Sequence, residues 1–138
     1  MPVTSKLKAD YWEDVTRVFN FEKLEVWHKA LDFAELNYRV TSGFPTEERF
    51  GLTNQIRRAG ASVPSNIAEG SSRTSRSDFG RFIEIATGSV FEVVSHVSVA
   101  KRLDFISDAD FRRVYTAAEE QSRMLSGLRT SLRANTKP

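Results

Sequence analysis

The stretch "SVPSNIAEGSSRTSRSDFGRF", residues 62–82, decides the fold of this chain. It holds two runs of apolar residues at helical spacing, separated by a short segment rich in serine. Ser75 and Asp78 have the spacing of a capping box, which predicts that a helix starts at about residue 76. Because only a few residues join the two runs, the two helices must lie antiparallel and in contact.

Pro64 lies inside the first of these two helices. Proline has no amide hydrogen, so the bond to the carbonyl of Gly60 is lost. The helix should therefore kink near Pro64 or restart with Ser65 as a cap. Gly70 is placed to end the same helix as its C-terminal cap. The small residues 59–62 allow a close approach by a neighbouring helix.

The same periodicity extends in both directions and predicts four helices. They cover residues 21–42, 46–70, 76–103 and 108–133. Thr46 is the expected N-cap of the second helix, and Ser107 with Asp110 repeats the capping-box spacing before the fourth. Short connections make consecutive helices antiparallel. The predicted fold is an all-α, antiparallel up-down-up-down four-helix bundle with helix 2 kinked near Pro64.

Each predicted helix has an apolar face for the bundle core. In the first helix this face consists of Leu24, Trp27, Leu31, Ala34 and Tyr38, widened by Val26, Ala30, Phe33 and Val40. The second contributes Phe50, Leu52, Ile56, Ala59, Val63 and Ile67. The third and fourth contribute Phe79, Phe82, Ile83, Ala86, Val90, Val93, Val94, Val97, Ala100, Phe111, Val114, Tyr115, Ala118, Leu125, Leu128 and Leu132. The first helix is apolar on nearly two faces, which predicts a subunit interface and a cyclic homo-oligomer.

A length of 138 residues is typical of one domain, and the absence of cysteine excludes thiolate metal sites and disulfides. We predict an N-terminal extension over residues 1–20, partly disordered or a short helix, the bundle over 21–133, and a disordered tail over 134–138. The start of the chain does not resemble a leader peptide, and no uncharged apolar run approaches about 20 residues. These features indicate a cytoplasmic protein with no membrane segment.

Positive charge is concentrated in the second part of the chain. Residues 1–56 carry 7 Lys and Arg against 9 Asp and Glu, whereas residues 57–138 carry 13 against 9. Arg73, Arg76 and Arg81 surround the start of the third helix, where free backbone amides favour an anion such as phosphate. The alternative for these arginines is surface ion pairing with Glu69, Asp78 or Glu84.

Arg57 and Arg58 lie on the second helix with no acidic residue nearby in the sequence. One of them could reach a neighbouring subunit, and the other solvent or phosphate.

Few residues offer catalytic or metal chemistry. Glu25 and His28 have the Glu-x-x-His spacing of di-iron bundles, but His96 follows Glu92 by four residues, so a second such pair is missing. The sequence has no nucleophile elbow and no phosphate-binding glycine loop. We therefore predict no metal, no cofactor and no enzymatic activity.

Three segments carry a family resemblance: "FEKLEVWHKA", "FPTEERFGLTNQIRRAGASVPSNIAEGSSRTSRSDFGRFIEIATGS" and "EEQSRMLSGLRTSL". Over residues 21–132 the chain resembles the four-helix-bundle proteins encoded in intervening sequences of bacterial 23S ribosomal RNA genes. That family is also similar to the accessory variability protein of diversity-generating retroelements. The most specific matches are "VPSNIAEG" and "FPTEERFGLTNQIRRA".

The resemblance implies a homopentameric ring of bundles with a basic surface that binds structured nucleic acid, RNA or DNA, without catalysis. Carried onto this sequence, it makes a set of five arginines the expected nucleic-acid contacts: Arg57, Arg58, Arg73, Arg76 and Arg81. The alternative function is a protein-interaction scaffold, or an accessory subunit for a polypeptide partner such as a reverse transcriptase.

Overall fold

The computed structural model describes residues 18–134. These residues form four α-helices and no strand: α1 (Glu25–Thr41), α2 (Leu52–Ser71), α3 (Arg76–Arg102) and α4 (Asp108–Ala134). Each helix packs against the next one along the chain, and α4 packs against α1, which closes the bundle. The predicted antiparallel four-helix bundle is confirmed. Most of the predicted N-terminal extension and all of the tail beyond Ala134 lie outside the described residues.

The starts of α3 and α4 are where the capping boxes predict them. The hydroxyl of Ser75 accepts a hydrogen bond from the Asp78 amide at 3.0 Å. The hydroxyl of Ser107 accepts one from the Asp110 amide at 3.1 Å. These bonds satisfy amides that have no partner within the first turn of a helix.

The starts of α1 and α2 differ from the prediction because short 3-10 helices precede both. Asn20–Lys23 forms the first, and α1 begins only at Glu25. Thr46–Glu48 forms the second, so Thr46 is not an N-cap. The carboxylate of Glu48 instead accepts a hydrogen bond from the Leu52 amide at 3.2 Å, at the first residue of α2.

α2 runs through Pro64 without a restart at Ser65, and the kink remains a prediction. Gly70 is not the C-terminal cap, because the helix continues to Ser71 and the capping residue is Ser72. Gly70 has a different role. A methyl group at this position would lie 2.7 Å from Cβ of Phe82, so the glycine allows α3 to approach α2 closely.

The core contains most of the predicted residues of α2, α3 and α4. In α1 the prediction chose the wrong leading face. Of its five residues only Trp27 is buried, and Tyr38 is 49 % exposed. The main core face of α1 consists of Val26, Ala30, Phe33, Asn37 and Val40. Phe50 and Tyr115 were also expected in the core but are exposed.

Gln121 is a buried polar residue of α4 that the apolar pattern did not reveal. Its side-chain amide donates a hydrogen bond to the Val26 carbonyl at 3.3 Å, which links α4 to α1. By length and composition α3 is apolar enough to cross a membrane, a property that core helices of soluble proteins share. Its buried residues, among them Ile83, Val90 and Val97, belong to the bundle core.

Candidate nucleic-acid interface

Three of the five predicted arginines lie together at one end of the bundle, where α2 ends and α3 begins. Arg76 is the first residue of α3, is exposed, and forms no ion pair with any described residue. Arg73 pairs with Glu69 at 3.3 Å, and Arg81 lies 3.9 Å from Asp78. Two of the three arginines therefore have the alternative carboxylate partners, and the third is available.

Arg73 and Arg81 also contact the same aromatic ring. The guanidinium carbon of Arg73 lies 4.7 Å from the centre of the Phe82 ring, and that of Arg81 lies 5.6 Å from it. Phe82 is buried, as predicted, and Phe79 is half-buried. The Phe82 ring therefore belongs to the protein interior and does not offer an open face for a nucleobase.

Two arginines from the last turns of α4 lie at the same end of the bundle, because α4 runs antiparallel to α3. The carboxylate of Glu84 binds Arg129 at 2.9 Å and Arg133 at 3.3 Å. Gly80 makes room for the first of them, since a methyl group there would lie 2.8 Å from Cζ of Arg129. We call the five residues at this end the arginine rim: Arg73, Arg76, Arg81, Arg129 and Arg133.

Arg129 and Arg133 were not predicted as site residues. The available signal was the last part of the chain, which carries Arg123, Arg129, Arg133 and Lys137 and no acidic residue. Three carboxylates, Glu69, Asp78 and Glu84, accompany the five arginines of the rim. Five positive charges against three negative ones leave an excess of two, which favours an anionic partner.

Arg57 does not belong to the rim. Its guanidinium donates to the Thr41 hydroxyl at 2.9 Å and to the Tyr38 carbonyl at 3.3 Å, and it lies 4.7 Å from the centre of the Tyr38 ring. Arg57 thus closes the C-terminal turn of α1, a position where a cation is favourable. At a rise of about 1.5 Å per residue, it lies on the order of 20 Å from the last residue of α2, Ser71.

Arg58 is exposed and lies in a shallow groove between α2 and α3, with Asn54 and Glu92 among its neighbours. It forms no ion pair with a residue in the described part of the chain. Like Arg57, it lies about four helical turns from the end of α2, too far for its side chain to reach the rim. The structure therefore divides the five predicted arginines into a group of three and two separate residues.

The Glu25 and His28 pair is not arranged as a metal site. The ring nitrogen Nε2 of His28 lies 2.7 Å from the Glu22 carbonyl oxygen, and the ring packs edge-on against Trp27. Within residues 18–134 no three His, Asp or Glu side chains are grouped so that they could hold a metal ion.

A family model described as "23S rRNA-intervening sequence protein" matches residues 22–127. The chain belongs to this family. A crystal structure of a protein of unknown function from the S23 ribosomal protein family, from Bacteroides thetaiotaomicron, is similar to the fold. It has a TM-score of 0.69 and 25 % sequence identity, and the match covers 75 % of this chain and 96 % of that one. No curated protein matches the chain significantly.

The family match includes Arg73, Arg76 and Arg81 but ends before Arg129. Three residues of the rim thus lie in the segment that this chain shares with the 23S rRNA-intervening sequence proteins, and the last two lie in the C-terminal extension of α4 beyond it.

Proposed function

We propose that this member of the 23S rRNA-intervening sequence protein family is a non-enzymatic, cytoplasmic protein that binds structured RNA through its arginine rim. The single observation that carries the proposal is the convergence of five arginines from the α2–α3 connection, α3 and α4 at one end of the bundle. Membership in a family named for 23S ribosomal RNA supports RNA as the polyanion.

The chemistry of the rim fits the backbone of RNA better than its bases. Guanidinium groups bind phosphate oxygens with fork-like geometry, and such contacts position a protein without reading sequence. The excess of positive charge is small, so we expect moderate affinity. Because the contacts are made to phosphate groups, the affinity should fall as the salt concentration rises. Arg57 and Arg58 are not part of this surface.

The test is a triple substitution of Arg73, Arg76 and Arg81 by Ala, with binding to a fluorescein-labelled RNA duplex measured by anisotropy across a salt series. We expect the affinity to fall about tenfold or more. The slope of log K against log salt should become shallower by about 0.9 for each phosphate group that the variant no longer binds. Circular dichroism checks that the variant is folded.

A matched control exists elsewhere on the bundle. Arg102 forms no ion pair with a described residue, Arg113 pairs with Asp110 three residues away, and Arg39 pairs with Glu35 four residues away. Their substitution by Ala removes the same charge and the same kinds of partner. An equal decrease in affinity in both triple variants, or no decrease in the first, would contradict the proposal.

We also propose that the protein is a homo-oligomer, a pentamer by its resemblance to the family. The supporting surface is a groove of about 280 Å³ between α3 and α4, lined by Val90, Phe91, Val94, Tyr115 and Ala118. Phe91 is 64 % exposed and Tyr115 is 52 % exposed in the single chain. A second copy of the chain that covers this groove would remove both rings from water.

Light scattering at micromolar concentration tests the assembly. We expect a mass that is a multiple of the 15.6 kDa chain, and a shift to a smaller species in a Phe91→Glu variant. A monomeric wild-type protein would refute the oligomer but leave the RNA proposal standing, because the rim is complete within one chain.

A further inference from the structure

We propose that Phe82 is a positioning residue that holds Arg73 and Arg81 as one preorganised pair for the phosphodiester backbone of RNA. This inference rests on the proposed function and adds to it the residue that orders the binding groups. Its basis is that two guanidinium groups from different parts of the chain converge on a single buried ring.

The ring itself has a fixed position. Phe82 is only 8 % exposed, and the backbone of α3 at this point lies against α2, where Gly70 leaves no room even for a methyl group. Arg73 approaches the ring from the connection that follows α2, and Arg81 approaches it from α3. The ring therefore ties the two guanidinium groups to a rigid part of the bundle rather than to a flexible surface.

This arrangement reduces the cost of binding an anion. An unrestrained arginine loses rotamer freedom when it binds, whereas a stacked guanidinium has already lost part of it. The two Cζ atoms lie within about 10 Å of each other, the sum of their distances to the ring centre, so their charges repel. Phosphate groups of an RNA backbone beside the pair would reduce this repulsion.

The carboxylates beside the pair do not prevent this exchange. Arg73 pairs with Glu69 at 3.3 Å and Arg81 with Asp78 at 3.9 Å, and all four side chains are at least 41 % exposed. Exposed ion pairs are weak, so a polyanion with many phosphates can replace a single carboxylate.

The same geometry defines the class of ligand. Since Phe82 is buried and guanidinium groups lie over it, a nucleobase cannot stack on the ring. The pair can contact phosphate, which every nucleotide carries, so binding at this point does not depend on sequence.

The experiment compares Phe82→Leu with Phe79→Leu for binding to the fluorescein-labelled RNA duplex. Phe79 is at the same end of the bundle, contacts the same Gly70, and has no guanidinium over its ring within the described part of the chain. Both variants keep the full net charge. We expect Phe82→Leu to weaken binding about fivefold and Phe79→Leu to bind like the wild type, because only the first removes the stacking surface.

Two more variants give independent readouts. Phe82→Tyr keeps the aromatic ring and should bind RNA with wild-type affinity. The double variant Arg73→Lys and Arg81→Lys keeps the charge but loses the planar group, and it should bind about as weakly as Phe82→Leu. Since both lysines are on the surface, this variant should fold even if Phe82→Leu does not, and wild-type affinity in it would show that stacking on Phe82 is not needed. Its control is Arg113→Lys with Arg39→Lys.

Wild-type affinity in Phe82→Leu or in the rim double-lysine variant would overturn the inference, as would an equal decrease in Phe79→Leu. These outcomes are separate from a failure of the proposed function. If the triple Ala variant of the rim loses RNA binding and the Phe82 variants do not, the rim binds RNA without the ring. If the triple variant binds normally, the RNA site itself is wrong.

Discussion

The side-chain amide of Asn37 in α1 lies directly against the backbone of Gly60 in α2. A methyl group at Gly60 would be 2.6 Å from Nδ2 of Asn37 and 3.3 Å from its Cγ. Asn37 is fully buried, and neither polar atom of its side chain has a hydrogen-bond partner in the described part of the chain. This contact brings α1 and α2 together but leaves a buried amide with no hydrogen-bond partner among residues 18–134.

Gly60→Ala should therefore destabilise the bundle. The added methyl group forces a buried side chain to move, which costs about 1–3 kcal/mol, and the better helix propensity of Ala offsets only about 1 kcal/mol of this. Urea denaturation gives the free energy of unfolding. Gly127→Ala is the control, since nothing lies within 4 Å of its added methyl group, and it should stabilise by about 0.5–1 kcal/mol. A change in the free energy of unfolding that has the same sign in both variants would contradict the close contact.

Asn37→Leu should stabilise the protein. Leu has a similar branched shape and removes two buried polar atoms that have no described partner, and an unsatisfied buried group costs about 1–3 kcal/mol. We expect the free energy of unfolding to rise by about 1–2 kcal/mol in the same urea experiment. An unchanged or lower value would show that the amide of Asn37 is satisfied in solution.

The ion pair of Lys101 and Asp108, at the end of the bundle opposite the rim, should make stability depend on pH. Nζ of Lys101 lies 2.9 Å from Oδ1 of Asp108. Its hydrogen bond and its charge lower the pKa of the Asp108 carboxyl below 3.8, and the carboxylate in turn raises the pKa of Lys101 above 10.5. Because the pKa of Asp108 is lower in the folded protein, the ion pair stabilises the fold at pH values above 3.8. This stabilisation is lost as the pH falls through the folded-state pKa of Asp108.

The check is thermal melting of the wild type and of Asp108→Asn as pH is lowered. The wild type should have the higher Tm near neutral pH, and the difference should shrink below pH 3.8. On the alkaline side, the raised pKa of Lys101 predicts that the difference shrinks again as pH rises beyond 10.5. A Tm difference that stays constant over the acid range would exclude this role of the pair.

Glu84→Gln should strengthen RNA binding. The carboxylate of Glu84 binds both Arg129 and Arg133, so the substitution removes these two ion pairs and deletes one negative charge from the rim. We expect a gain of about threefold at low salt that fades as salt screens the charges. The control is Glu35→Gln, which removes the ion pair of Arg39 outside the rim. A gain of the same size in the control would mean that net charge alone, rather than the rim, governs binding.

Local signals were sufficient for the starts of α3 and α4 and for the core face of α3. The hydroxyls of Ser75 and Ser107 reach amides only three residues away, so the starts of α3 and α4 depend on chemistry within one turn. The valine-rich face of α3 has one dominant direction and is buried as expected. Phe82 could also be assigned to the core from its spacing.

The candidate site was harder to predict from the sequence. Arg73, Arg76 and Arg81 are close in sequence, and their common position follows from the short α2–α3 connection. The contribution of Arg129 and Arg133 requires the register between α3 and α4, which brings Glu84 beside residues 45 and 49 positions later in the chain. The separate role of Arg57 depends on the same kind of distant contact, here with Tyr38, 19 positions earlier.

The sequence by itself determined the four helices, their antiparallel order and the family, because periodicity, capping residues and short connections act over a few residues at a time. Only the tertiary structure decided which face of α1 enters the core. That helix is apolar on two sides, and the choice between them depends on Gly60 admitting Asn37 and on Gln121 reaching the Val26 carbonyl. Such contacts join residues far apart in the chain, and no local sequence pattern predicts them.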